Sequence, residues 1–281
     1  MTYEEVIVGE EIDYREFQIT PEMQQRYLDV LEDSNPIYVD GASSEGPIAN
    51  PILILNYAFA AEWIGSFKQH IHAKNHAQFL NPTRVGKKII ARSKVYGKYI
   101  RRGRTYVTTE IICVDEDGVE VVRCRWTETH GTADWQGDTM ESIKPEFSTI
   151  IEGGNEISGT PKEITLDRMQ RFSGHLDGGV NIHTNEKMAI EAGMPEPIAQ
   201  GMMSYGYILE MIITKFGHRW LNGGELQVAF LHYVFPGDTI TAKGKVVCKE
   251  TDSSGTKITL EVWCLNQRNE KVVAGSATCV I

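Results

Sequence analysis

The chain has 281 residues, of which 41% are hydrophobic and 23% charged, with 26 Gly and 10 Pro. This composition is typical of a soluble globular protein and excludes a disordered or collagen-like chain, while the length predicts two domains or one large one. The net charge of −10 argues against partners that need a basic surface, so we expect no binding to nucleic acid or to an anionic membrane.

The amino-terminal segment and the longest apolar segment both argue against export or membrane insertion. Residues 1–6 (MTYEEV) are acidic where a secretory signal would be basic and then apolar. The apolar stretch 51–67 is interrupted by Asn56 and Glu62 and is too short and too polar to cross a bilayer. We therefore expect a cytoplasmic protein.

No metal site is predicted. The five cysteines stand far apart, mostly in Val/Ile/Thr-rich segments, which predicts buried, reduced thiols rather than disulfides or metal ligands. His70, His72 and His76 lie close together, but no cysteine or carboxylate completes a set of ligands with them.

The chain contains an internal repeat. A helical pattern opens at Ile19-Thr20-Pro21 and again at Ile164-Thr165-Leu166. Residues 47–51 (PIANP) and 197–201 (PIAQG) match almost letter for letter, and each leads into an apolar segment. Repeats of this kind decide the architecture. We expect two copies of one fold, in domains 1–150 and 151–281, with a crossover at 134–159.

Each copy is predicted to be one long buried helix followed by an antiparallel meander. Residues 202–216 are apolar nearly all round, which predicts a helix buried on every side. Alternating apolar and polar residues predict strands at 88–96, 105–114 and 119–127 in the first copy, and at 240–247, 258–264 and 272–281 in the second. The prediction is an α+β fold, in which two curved sheets wrap two central helices and pair edge to edge.

One motif in the second copy indicates a function. Residues 172–185 (FSGHLDGGVNIHTN), followed by PIAQG at 197–201, resemble the signature of the MaoC-like (R)-specific enoyl-CoA hydratase family. The resemblance implies a hot-dog fold, here a double hot dog in which one half has lost its catalytic pair. It also implies an acyl-CoA substrate that undergoes reversible hydration, with coenzyme A as part of the substrate and no separate cofactor.

Hydration of an enoyl thioester needs a group that activates water, a group that protonates the alpha carbon, and a donor for the thioester oxygen. His183 and Asp177 are predicted as the acid/base pair, in either order. The backbone N–H of Gly201, at the amino end of the long helix, is predicted as the oxygen donor. The resemblance also places Asn181 and Gln200 in the substrate-binding site.

The first copy lacks this chemistry. Tyr38 stands where His183 stands, and Pro51, which has no N–H, stands where Gly201 stands. The second copy departs from the family in one respect, because Asp177 lies six residues before His183 instead of five. Either two glycines let the loop bulge by one residue or the carboxylate has been lost, and we expect the bulge.

Further predictions concern the partner and the rival functions. Arg101, Arg102 and Arg104 form the densest basic cluster and are predicted to bind the phosphates of coenzyme A, unless they are only a solvated hairpin end. The rivals are a hot-dog thioesterase, for which Glu210 is a candidate carboxylate, and a non-catalytic acyl-CoA-binding subunit. A homodimer formed through a sheet edge is expected. A carboxylated acyl group would require an Arg facing the pocket.

Overall fold

A computed structural model of the chain describes residues 1–39, 46–67, 70–130, 156–174, 180–253 and 255–281. The strands are β1 (Glu11–Gln18), β2 (His70–Phe79), β3 (Lys88–Arg101), β4 (Arg104–Asp115), β5 (Glu120–His130), β6 (Glu156–Ser158), β7 (Lys162–Glu163), β8 (Gly224–Phe230), β9 (Thr239–Asp252), β10 (Gly255–Leu265) and β11 (Lys271–Val280). The helices are α1 (Pro21–Leu31), α2 (Pro51–Ala58), α3 (Ala61–Gly65), α4 (Leu166–Ser173), α5 (Glu186–Glu191), α6 (Gly201–Phe216) and α7 (His218–Leu221), with a 3-10 helix at Pro36–Tyr38.

The strands form one antiparallel sheet in the order β1-β3-β4-β5-β2-β8-β11-β10-β9-β6, with β7 also paired to β9. The two halves join where β2 pairs with β8, from Lys74 opposite Ala229 to Phe79 opposite Gly224. His76 Nε2 lies 2.7 Å from Glu225 Oε1 across this junction. The predicted pairing of two sheets edge to edge is therefore confirmed.

The predicted repeat is also visible in the local structure. The hydroxyl of Thr20 accepts a hydrogen bond from Met23 N at the start of α1, and that of Thr165 accepts one from Arg168 N at the start of α4, both at 3.2 Å. These are matching side-chain caps at the two helix starts. The six predicted strands are present, and five of them are longer than expected, whereas β11 has the expected length. Strands β1, β2, β6, β7 and β8 were not predicted. Most of the predicted crossover lies outside the described residues, and its end at 156–158 is strand β6.

The expectation of two long central helices is wrong for the first half. Helix α6 runs for 16 residues, whereas α2 ends after 8 and is followed by the separate short helix α3. The chain leaves the helix at Phe59, whose backbone is extended with ψ 130°. A tight turn from Ala61 N to Phe59 O (2.8 Å) satisfies the backbone there, and the Phe59 ring stacks on Trp126. Composition could not reveal this break, because the segment stays apolar through it.

Both halves contribute to one continuous hydrophobic core. Helix α6 packs closely on the first half at Gly206, where an added Cβ would lie 3.0 Å from Leu31 Cδ2 and 3.4 Å from Ile52 Cγ1. Buried side chains of α1, α2, α6 and the sheet belong to the same cluster. The halves are thus copies in structure that share their interior. The predicted boundary between residues 150 and 151 lies outside the described residues.

In the first half, the residues that correspond to the predicted catalytic site are buried in the protein. Asp33, Tyr38 and Asn50 are all buried there. Lys162 of β7, in the second half, is also buried and donates hydrogen bonds to Glu32 O at 2.6 Å and to Glu210 Oε1 at 3.1 Å. Burial, opposed by Lys162, raises the pKa of Glu210 to about 7. Lys162 therefore connects the two halves through its bond to Glu32.

Replacing Lys162 should destabilise the protein. We expect Lys162→Met to lower the free energy of unfolding by on the order of 2–4 kcal/mol, because it leaves a half-buried carboxyl group and a carbonyl oxygen without the partner that Lys162 supplies. Urea unfolding at pH 7 measures the loss. Lys162→Met/Glu210→Leu should recover part of it, and Lys187→Met on an exposed lysine should change nothing. A Lys162→Met variant as stable as the parent protein would contradict this role.

Candidate active site

A pocket of about 150 Å³ lies between the two halves. The first half supplies Asn56 of α2, Phe59 between α2 and α3, and side chains of β2 and β5. The second half supplies the loop before α5, the start of α6 and the end of β8. The residues that matter to the chemistry are His70, His72, Trp126, Glu128, His183, Gln200, Gly201, Phe230 and Tyr233. An apolar cavity of this size holds a ring of six carbons in other proteins, so it suits a short acyl group.

A small turn positions His183. Asn181 Oδ1 accepts a hydrogen bond from His183 N at 2.9 Å, and Asn181 N donates to Thr184 Oγ1 at 3.0 Å. Asparagine favours such turns because its side chain mimics a backbone carbonyl. Asn181 is not among the described residues that line the pocket. Its hydrogen bonds shape the loop that carries His183, and its predicted role in substrate binding stays a prediction.

The ring of His183 is held in one tautomer. Its Nδ1 lies 2.7 Å from Ile198 O, and since a carbonyl only accepts, Nδ1 carries the hydrogen. Nε2 has no hydrogen-bond partner among the residues that the structure describes. Burial, together with the nearby His70 and opposed by the Ile198 bond, lowers the pKa of His183 to about 4. The imidazole is therefore neutral at pH 7 and presents an unprotonated Nε2.

Gly201 is the first residue of α6, as predicted. Its N–H has no hydrogen-bond partner among the described residues, and no side chain caps this helix. An added Cβ would lie 2.8 Å from Phe230 Cε1, so only glycine fits against that ring. Gln200, just before it, lines the pocket and donates from Nε2 to Met169 O at 3.0 Å. An unpaired N–H at the positive end of a 16-residue helix is suited to hold a developing negative charge.

The other predicted site residues fall outside this arrangement. Asp177 lies outside the described residues, so its distance from His183 is not part of the structure. Glu210 does not line the pocket, and it is paired with Lys162 instead.

The predicted phosphate-binding arginines lie at the turn of the β3–β4 hairpin. Arg101 pairs with Arg104, and the turn uses positive φ angles at Arg102 (49°) and Gly103 (76°). The strand register places Thr105 opposite His130, and His130 opposite the pocket residue His70. Tyr233 lines the pocket. Burial raises the pKa of Tyr233, and the nearby positive charge of Arg104 partly opposes this rise. Arg104 is thus near the pocket, although none of the three arginines lines it.

One wall of the pocket was not predicted. The Trp126 ring is stacked between Phe59, with centroids 4.2 Å apart, and His72, at 3.7 Å. Trp126 Nε1 donates to Glu128 Oε1. The available signal was the spacing of His70 and His72, because alternate residues of a strand share a face. In the sequence alone, the close spacing of these histidines suggests a metal site and not a pocket wall.

Three further features bear on the predictions. Among the described residues, no group of three His, Cys, Asp or Glu side chains is placed to hold a metal ion. All five cysteines are buried and free, as expected. No helix in the described part of the chain has both the length and the apolar character needed to cross a membrane.

Comparison with known proteins identifies the class. The chain has the fold of double hot-dog proteins. It superimposes on a MaoC-like dehydratase with a TM-score of 0.78 and 16% identity over 98% of both chains. A Mycobacterium tuberculosis protein described as a double hotdog fold matches with a TM-score of 0.68, 12% identity, and 99% of this chain against 97% of the other.

The family model for the MaoC like domain matches residues 152–269, which lie in the second half of the chain. The full-length peroxisomal multifunctional enzyme type 2 of Drosophila melanogaster matches with a TM-score of 0.70 and 16% identity, over 95% of this chain and 48% of that one. No curated protein matches the sequence. The resemblance inferred from the motif at 172–201 is thereby confirmed.

Proposed function

We propose that the protein is a hydro-lyase that reversibly hydrates a short 2-enoyl-CoA to the (R)-3-hydroxyacyl-CoA. One observation carries the proposal: His183 and Gly201 line the same pocket of about 150 Å³, and neither His183 Nε2 nor Gly201 N–H has a hydrogen-bond partner among the described residues. The match of residues 152–269 to a MaoC-like domain supports it further. The geometry has an acceptor for a proton and a donor for an oxygen, which are the two groups that conjugate addition requires.

In the hydration direction, His183 Nε2 takes a proton from water while the water oxygen bonds to C3 of the acyl group. The C2–C3 π electrons move toward the thioester, whose oxygen gains negative charge and accepts a hydrogen bond from Gly201 N–H. Asp177, six residues before His183 in the sequence, is the proposed second group: it receives this proton from His183 and delivers it to C2, so that both groups return to their starting states. Water is consumed and no electrons are gained or lost, so the proposal needs no cofactor beyond coenzyme A in the substrate.

The proposal also covers the binding of coenzyme A, the oligomeric state and the location of the protein. Arg101, Arg102 and Arg104 would bind the coenzyme A phosphates, and the position of Arg104 near the pocket residue Tyr233 favours this. We propose a cytoplasmic homodimer without nucleic-acid or membrane partners, in keeping with the net charge of −10.

An assay with crotonyl-CoA tests the proposed reaction. Hydration removes the ultraviolet absorbance of the conjugated thioester without releasing thiol, and this is the result we expect. Release of free coenzyme A would replace the proposal with a thioesterase. Calorimetric binding of crotonyl-CoA without turnover would replace it with an acyl-CoA-binding subunit.

The pH dependence tests the state of His183. With the pKa of His183 at about 4, the base is unprotonated above that pH, so we expect kcat/KM to stay level from pH 7 down to about pH 5 and to fall below. Crotonyl-pantetheine is the substrate of choice, since it lacks phosphates, which titrate near pH 6. A fall in kcat/KM with its midpoint between pH 6 and 7 would show an ordinary histidine and contradict the described environment.

A further inference from the structure

Glu128 is a buried carboxyl group that the proposed reaction does not use. It lies on β5, is 4% exposed, and lines the pocket. Oε1 accepts the hydrogen bond from Trp126 Nε1, while Oε2 is buried and has no partner among the described residues. A buried polar atom without a partner destabilises a fold, so such an atom in a pocket indicates contact with a ligand.

The surroundings of Glu128 favour its neutral form. Across the sheet it faces Val107 on β4 and His72 on β2. His72 Nε2 donates to Lys74 O at 2.9 Å, so its hydrogen is directed elsewhere. No Lys or Arg is among the described residues that line the pocket, so no cation there holds Glu128 ionised. Burial, opposed by the Trp126 bond, raises the pKa of Glu128 to about 8. At neutral pH the group is therefore mostly a carboxylic acid, which can donate as well as accept.

A row of rings lines the pocket from its reacting end to Glu128. Phe230 contacts the Gly201 position, the centroids of Phe230 and His72 are 4.6 Å apart, and His72 stacks on Trp126 at 3.7 Å. Trp126 in turn binds Glu128. A thioester carbonyl placed at Gly201 N–H would therefore direct its acyl chain along these rings toward Glu128. At the end of these rings, Glu128 Oε2 is a buried polar atom without a partner among the described residues, so it is suited to recognise an oxygen on the acyl chain.

We propose that Glu128 is a specificity-determining residue that donates a hydrogen bond from Oε2 to an uncharged oxygen on the acyl chain beyond the double bond. The preferred substrates are then short 2-enoyl thioesters with a hydroxyl or carbonyl group at or beyond C4. The inference rests on the proposed function. A carboxylated acyl group fits less well, because it would need a cation and none lines the described part of the pocket.

The test compares two substrates that differ by one hydroxyl, crotonyl-CoA and 4-hydroxycrotonyl-CoA, in three proteins. The ratio of their kcat/KM values in the parent protein should favour the hydroxylated substrate by about tenfold or more, since sites built to bind a hydroxyl discriminate against its absence. Glu128→Gln keeps a donor and the shape of the side chain, so it should keep most of the preference. Glu128→Leu removes the donor and should bring the ratio to about one or below, while crotonyl-CoA is still hydrated.

Other outcomes would overturn the inference. A parent protein without preference, or a preference that survives in Glu128→Leu, removes Glu128 from substrate recognition. If Glu128→Leu keeps its fold but lowers kcat/KM equally for both substrates, Glu128 acts in catalysis or in structure instead. If neither substrate is hydrated by the parent protein, the proposed function fails, and the inference is tested separately by the calorimetric affinities of 4-hydroxybutyryl-CoA and butyryl-CoA in the same three proteins. Equal affinities would then reject it as well.

Discussion

His183→Asn should reduce kcat/KM for crotonyl-CoA hydration by about 10²–10⁴-fold, the range typical of a lost general acid or base. Asparagine is chosen because its amide nitrogen can replace Nδ1 as donor to Ile198 O, which lies 2.7 Å from Nδ1 in the parent protein. The same change removes Nε2, the ring nitrogen without a partner among the described residues. The variant therefore keeps the contact that positions the loop and loses only the proton acceptor.

Two measurements make this result specific to the reaction. Thermal unfolding should give a midpoint close to that of the parent protein, because the bond to Ile198 O is kept. His76→Gln serves as the matched control, since His76 lies at the β2–β8 junction beside Glu225 and does not line the pocket. We expect its hydration rate to stay within about twofold. If folded His183→Asn retains more than about a third of the activity, His183 is not the acceptor.

Removing the N–H of Gly201 should cost about 10²–10³-fold in kcat, the typical effect of one lost oxyanion donor. A simple Gly201→Pro variant would not isolate that effect, because any Cβ at this position meets Phe230 Cε1 at 2.8 Å. The comparison is therefore made in a Phe230→Leu background, which removes the ring. Gly201→Ala/Phe230→Leu keeps the N–H, and Gly201→Pro/Phe230→Leu lacks it.

The helix should accept proline at this position. Pro is favoured at the first position of a helix, and the residue before it must be extended. Gln200 is extended, with φ −61° and ψ 128°, almost the same as Asn50, with φ −66° and ψ 124°, which precedes Pro51 in the first half. The Ala variant should hydrate crotonyl-CoA within about tenfold of Phe230→Leu alone. Equal kcat values for the Ala and Pro variants would show that the N–H does not stabilise the thioester oxygen.

Much of the fold followed from local patterns. The repeat of threonine-capped helices, the apolar segment that becomes α6 and the alternation in six strands are all short-range properties of the chain. The comparison of copies also predicted the chemistry in the second half, and His183 and Gly201 both line the pocket. The periodic features are readable because each depends on residues within a few positions of one another, and the comparison of copies needs only the similarity of the two segments.

The amino-acid sequence by itself determined the α+β architecture, the doubled unit, and His183 and Gly201 as the candidates for catalysis. Only the tertiary structure decided that α2 stops at Ala58, that Lys162 binds Glu32 and Glu210, and that Trp126 and Glu128 form a pocket wall. Glu128 and His72 are 56 positions apart in the chain and become neighbours through the β2–β5 register. The environment of a side chain depends on such long-range pairings, which no local periodicity encodes.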